Sequence, residues 1–160
     1  MAKNYFEELE VGDEWTSPAR TVTEGDVALF AGLSGDYNPL HTDAEFAADT
    51  IYGERIAHGL LILAMATGLK ARLGIMDGTI MAFLGLSWEF KGAVKLGDTV
   101  RVRLRIGSKR PTSKPDRGLI TQELAILNQR DEIVQTGVFT TLIKRQPGAD
   151  HAEPADSPTR

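Results

Sequence analysis

At 160 residues, with no cysteine and a formal net charge of -4, the chain has room for one domain with its own core. It has no disulfide framework and no thiolate nucleophile or ligand, and without a basic block or stripe nucleic acid is not an expected partner. The first ten residues are acidic and mixed rather than basic and apolar, and the most apolar run, Gly59 to Gly68, is shorter than the ~20 residues a spanning helix needs. No signal peptide or membrane segment is read, and a cytoplasmic location is the default expectation.

In chain order, Val11-Gly12-Asp13 reads as a turn, followed by β-prone residues at Trp15–Ser17 and Arg20–Val22. Thr23 reads as a helix N-cap, with Asp26 three residues on in the manner of a capping box. Val27, Leu29, Phe30 and Leu33 suit a short helix that runs into Ser34-Gly35-Asp36-Tyr37-Asn38-Pro39-Leu40-His41. Gly35 can take positive φ, and Pro39 pushes Asn38 toward an extended conformation, so this segment reads as a shaped loop. Thr42-Asp43 is a further N-cap candidate, with Phe46, Ala47 and Ala48 as a buried helical turn.

Gly59 to about Leu73 is the clearest helix. Leu60, Leu61, Ile62, Leu63, Met65 and Leu69 make it apolar on most sides, and Lys70 and Arg72 in the last turn suit the helix dipole. Four strand-like runs follow, at 79–90, 99–106, 118–128 and 133–143, with turns at Lys95–Asp98 and Asn128–Asp131. The expected layout is α+β: an antiparallel sheet wrapped around one long buried helix, the hotdog arrangement, in a single domain over residues 1–144. Residues 145–160, rich in Pro, Gly, Asp, Ala and Ser, read as a disordered tail.

The Asp36–His41 segment places a carboxylate, a carboxamide and an imidazole within six residues. Asp36 and His41 form a proton-handling pair; Asn38 can orient a hydroxyl or a water without changing charge. No second histidine lies in the loop and no acidic cluster has metal spacing, so no metal is expected. Ala57-His58-Gly59 opens the buried helix. Its unpaired N–H groups and positive dipole end, with no side chain at Gly59, make a candidate oxyanion site. His58 itself reads as a structural residue fixing the start of the helix.

These residues resemble the MaoC-like hydratases and dehydratases, a group that includes R-specific enoyl-CoA hydratases. The resemblance rests on Gly35-Asp36-Tyr37-Asn38-Pro39-Leu40-His41, with Phe30 upstream and Ala47 downstream. It continues in Arg55–Gly59, Trp88–Lys91 and Lys95–Thr99, covering roughly residues 5 to 144. It implies a hotdog fold, a homodimer or assembly of dimers, and reversible addition of water to the α,β double bond of an acyl thioester. It implies that Asp36 and His41 hold and activate the water, that Asn38 positions the hydroxyl and that the Gly59 N–H polarises the thioester carbonyl. No cofactor is implied, because coenzyme A or an acyl-carrier protein arrives as part of the substrate.

Plainer readings stand beside these. An isolated Asp-x-Asn-Pro is a turn former, Trp88 and Phe90 suit packing, and the central-helix Leu and Met residues suit a core. Alternating Arg101, Arg103 and Arg105 suit a solvated strand face, and none of the basic residues is assigned to a ligand. A hotdog thioesterase is the main rival. Many of these, like the carrier-protein dehydratases, use an acidic residue on the central helix, and 59–74 contains no Asp or Glu. A non-catalytic subunit of a heterodimer is the second rival; such a chain would be expected to lose Asp36 or His41, and both are here.

Overall fold

A computed structural model of the chain describes residues 4–148. Two short strands, β1 (Glu14–Thr16) and β2 (Arg20–Thr21), lead into helices α1 (Glu24–Ser34), α2 (Pro39–Thr42), α3 (Ala44–Ala48) and α4 (Gly59–Ala71). Strands β3 (Ile80–Phe90), β4 (Thr99–Pro111), β5 (Arg117–Leu127) and β6 (Ile133–Lys144) complete the chain. All pairings are antiparallel, in the order β1-β4-β5-β6-β3, with β2 on the end of β4. This is the expected hotdog arrangement, with α4 held against the inner face of the sheet.

The core follows from strand period. Val100, Val102, Leu104 and Ile106 of β4 are fully buried, and so are Ile120 and Ile126 of β5; they close on Leu61, Ile62, Met65, Ala66 and Leu69 of α4. The arginines that alternate with the β4 valines face outward and find acids: Arg101 pairs with Asp131, and Arg105 with Glu123. β4 runs five residues past the expected end at Ile106. A bulge between Ile106 and Ser108 absorbs the Gly107 break, and pairing with β5 resumes to Pro111.

The expected cap is present. Thr23 Oγ1 accepts from the Asp26 N–H at 3.2 Å while Asp26 Oδ2 accepts from the Thr23 N–H at 2.9 Å. Two expectations are corrected. The shaped loop does not extend to His41, because Pro39 to Thr42 close a single helical turn. Pro39 occupies its first position, where a missing N–H is harmless, and the Asn38 side chain caps it. Phe46 is exposed; only Ala47 of α3 is buried. Lys70 lies in the last turn of α4 as expected, and its ammonium reaches inward to Gln122 Oε1 at 2.7 Å.

β3 is an edge strand, paired only with β6, and it exposes Met81, Phe83, Leu84, Leu86 and Phe90. Of the expected tail, residues 149–160 lie outside the described residues. Arg145 and Gln146 are tied to the N-terminal segment, with Arg145 Nε 2.7 Å and the Gln146 N–H 2.9 Å from the Glu7 carboxylate. Among the described residues, no helix is long and apolar enough to cross a membrane.

Candidate active site

The end of α1, the α2 turn and the N-terminus of α4 converge on one point. Gly35 ends α1 with φ 77°, a left-handed conformation that reverses the chain and brings Asp36 back toward α4. Two side chains then shape the backbone. Asp36 Oδ1 accepts from the Asn38 N–H at 3.2 Å, and Asn38 Oδ1 accepts from the Leu40 N–H at 3.0 Å. The Asn38 oxygen is therefore engaged in capping α2, which leaves its amide NH2 as the group able to serve a ligand.

Backbone carbonyls set the two imidazoles. His41 Nδ1 lies 2.8 Å from the Ile56 carbonyl, and His58 Nε2 lies 2.9 Å from the Asp36 carbonyl. A carbonyl only accepts, so the proton of neutral His41 belongs on Nδ1 and that of His58 on Nε2. His41 then presents an unprotonated Nε2, the atom a general base needs. The two rings stack at 3.8 Å between centroids, and Phe30 lies 5.0 Å from His58 on another side. His58 Nδ1 is buried with no hydrogen-bond partner. His58 fixes the start of α4 as expected, by holding the Asp36 carbonyl, and it also braces His41.

Asp36, His41 and His58 bring one ligating atom each to within 4.8 Å of one another. The expectation of no second histidine nearby holds in the sequence but not in space, because α4 delivers His58 from seventeen positions downstream of His41. A cation at this point would meet Asp36, His41 Nε2 and His58 Nδ1, since the other ring nitrogens are committed to carbonyls.

His41 and Gly59 line the same cavity, about 490 Å³, with Tyr52, Leu60, Phe90, Val94 and Gln135 among its walls. Asp36 and Asn38 are exposed and stand outside that lining. Gly59 is the first residue of α4, so its N–H has no acceptor within the helix, and His58 contributes no side-chain cap. A side chain at this position would have to displace the exposed Phe90 ring. A Cβ there would sit 2.7 Å from Phe90 Cε1. Its carbonyl is held by Gln135 Nε2 at 3.0 Å, and Gln135 Oε1 in turn accepts from Trp88 Nε1 at 2.8 Å. The arrangement joins a base to an anion-stabilising N–H across one pocket, which is what proton transfer next to a polarised carbonyl requires.

The sequence pattern of the MaoC like domain matches residues 8–125. The chain belongs to the MaoC-like domain family. Protein MaoC of Klebsiella aerogenes is 41% identical over 116 residues, covering 72% of this chain but only 33% of the Klebsiella protein, so the MaoC-like chain here spans about a third of that relative. The (R)-specific enoyl-CoA hydratase of Rhodospirillum rubrum is 38% identical over 112 residues, covering 69% of this chain and 75% of the relative. The solved structure of an R-hydratase from Pseudomonas aeruginosa, in the unliganded form, superposes with a TM-score of 0.76 at 33% identity. It covers 99% of this chain and 96% of its own.

Within this MaoC-like site the structure unites His41 with Gly59, and places Asp36 beside both histidines. Sequence reasoning did not single out Gln135, whose only signal was an amide in the otherwise apolar start of a strand. Phe90, expected as packing, is a cavity wall.

Proposed function

We propose that this protein is an R-specific enoyl-CoA hydratase, working reversibly as a 3-hydroxyacyl-CoA dehydratase. It is a hydro-lyase. The observation that carries the reading is the pairing of His41 Nε2 and the Gly59 N–H on one cavity. The (R)-specific hydratase and R-hydratase names of the relatives support the reaction class and its stereochemistry.

In the hydration direction the thioester carbonyl accepts from the Gly59 N–H, which draws electron density from the double bond toward oxygen. Water attacks the β-carbon as its proton passes to His41 Nε2. The electron pair of the double bond moves to form the enolate, whose oxygen Gly59 and the helix N-terminus stabilise. The proton held on His41 Nε2 then passes to the α-carbon, which collapses the enolate, regenerates the thioester carbonyl and returns His41 to its neutral form. Asp36, beside the two imidazoles, favours the transient charge on His41 and helps hold the water. The Asn38 amide donates to the water or the product hydroxyl from the rim. The residues do this without a cofactor, and coenzyme A enters as part of the substrate.

We further assign a homodimer formed along the free edge of β3, where unpaired backbone and apolar side chains lie together, and a cytoplasmic location. Crotonyl-CoA tests the chemistry. Loss of its ultraviolet enoyl band without release of free thiol, giving the R-3-hydroxy product, is expected. Thiol release would replace this reading with a thioesterase, and silence on short and long chains with a non-catalytic subunit. Light scattering tests the assembly, with twice 17.4 kDa expected.

A further inference from the structure

Beyond the Gly59 end of α4, the space between this helix and the β3–β6 ribbon opens again. This second cavity, about 270 Å³, is lined by Leu63, Thr67, Lys70, Phe83, Phe139 and Thr141 among others. It follows the first along the same three elements. Leu60 gives way to Leu63 and Thr67 on α4, Phe90 to Leu86 and Phe83 on β3, and Gln135 to Phe139 and Thr141 on β6. The bulge between Phe83 and Gly85 makes this possible. It shifts the strand's parity, so that Phe83 rather than Leu84 joins Leu86 on the inner side and meets Phe139 edge-on at 5.0 Å.

Among the described residues, Lys70 is the only titratable group lining this cavity. Its ammonium donates to Gln122 Oε1 at 2.7 Å and lies 5.6 Å from the Phe139 ring centre; Gln122 Nε2 passes the network to Thr141 Oγ1 at 2.8 Å. No carboxylate is within salt-bridge distance of it among the described residues. An ammonium has three donors, and a neutral amide oxygen balances none of its charge. A methyl-ended chain would press hydrocarbon against that charge. A carboxylate would pair with it and recover what burial takes away.

We propose that the substrate's acyl chain runs from Gly59 along this groove and ends in a carboxylate that pairs with the Lys70 ammonium. The preferred substrate is then a medium-length dicarboxylic acyl thioester. The assignment rests on the acyl-thioester reading of the Gly59 site. Gly59 and Lys70 are separated by about 16 Å of helix, and a side chain on a helix leans back toward the N-terminus, which shortens the span the acyl chain must cover. Burial pushes the Lys70 amine down to about 8, the direction expected where no anion offsets the cost. At neutral pH the amine is still mainly the cation. A dimer along β3 would cover the outer side of the groove at Phe83 and Leu86 and dry the pair further.

Binding to the full chain tests this without relying on turnover. Calorimetry with suberoyl-CoA and octanoyl-CoA, which differ in the terminal group and cannot be hydrated, is expected to favour suberoyl-CoA by about tenfold or more, the worth of one charge-assisted hydrogen bond. Lys70→Met is expected to reverse that preference, and Lys70→Arg to keep it. A wild-type preference for octanoyl-CoA, or a ratio unchanged by Lys70→Met, overturns the assignment. The 2-enoyl forms of both thioesters are offered in parallel. Hydration of both with no preference for the diacid would leave the hydratase reading standing and sink this one. Diacid preference without any hydration would do the reverse.

Discussion

At its N-terminal end α4 meets the sheet through Gly59, Phe90 and Gln135; at its C-terminal end it meets it through Lys70, Phe139 and Gln122. Both junctions use a buried glutamine, with opposite duties. Gln135 accepts from an indole and donates to a backbone carbonyl, so it fixes a peptide and carries no charge. Gln122 accepts from an ammonium and donates to a hydroxyl, so it shelters a charge that no carboxylate among the described residues neutralises. Under the proposed function, the first junction suits an atom that becomes negative during reaction and the second suits one already negative, so that a single helix would fix the reacting carbonyl at one end and read the far end of the same molecule at the other.

The sharpest way to break the contrast is at the reacting end. His41→Ala removes the base and is expected to lower turnover by about 10²–10⁴-fold in the enoyl-band assay, with the thermal midpoint little changed. Retained turnover would move the base elsewhere. Asp36→Asn keeps the turn-forming oxygen and removes the charge, so a smaller loss is expected, read as kcat rather than KM. Gly59→Ala brings a methyl against the Phe90 ring, so the ring or the peptide must shift, and either change disturbs the proposed thioester site. A fall of about 10²-fold is expected, and Phe90→Leu in the same chain should restore folding stability more than activity. Gln135→Leu releases the Gly59 carbonyl and is expected to cost about tenfold in kcat with KM nearly unchanged, the signature of a positioning group.

The smallest expected effect lies at the other junction. Because burial lowers the Lys70 amine from 10.5 to about 8, the unfolded chain binds the extra proton between those pH values. Folding stability therefore rises with pH across that window, and below it the buried ammonium costs on the order of 2–3 kcal/mol. Lys70→Met is expected to raise the denaturation midpoint at pH 7, with the gap to wild type narrowing toward pH 10. A gap independent of pH would mean that packing, not charge, sets the difference.

Local chemistry made much of this legible. The Thr23 cap, the positive φ of Gly35, the α4 glycine and the period-two strand of Val100 to Ile106 each follow from residues a few positions apart. What was hidden depended on long-range contact. Lys70 sits in a last turn where lysine suits the dipole, and only Gln122, fifty-two residues on, turns it inward. His58 looked like a helix-start residue because its stacking partner lies seventeen positions away in sequence and 3.8 Å away in space. The α2 turn was missed because proline was read as a helix breaker, although at the first position it is a helix starter.

The Trp88–Gln135 hydrogen bond gives the protein an optical label of its own. The chain has two tryptophans; Trp15 lies on the short outer strand, and Trp88 is one hydrogen bond removed from the amide that holds Gly59. Any ligand that tightens or loosens the Gly59 peptide changes the polarity felt by that indole. Emission from unlabelled protein can therefore report ligand arrival at the Gly59 end, and because the Phe139 ring lies 5.6 Å from the Trp88 ring and 5.6 Å from the Lys70 ammonium, a Lys70 variant is expected to shift the emission as well.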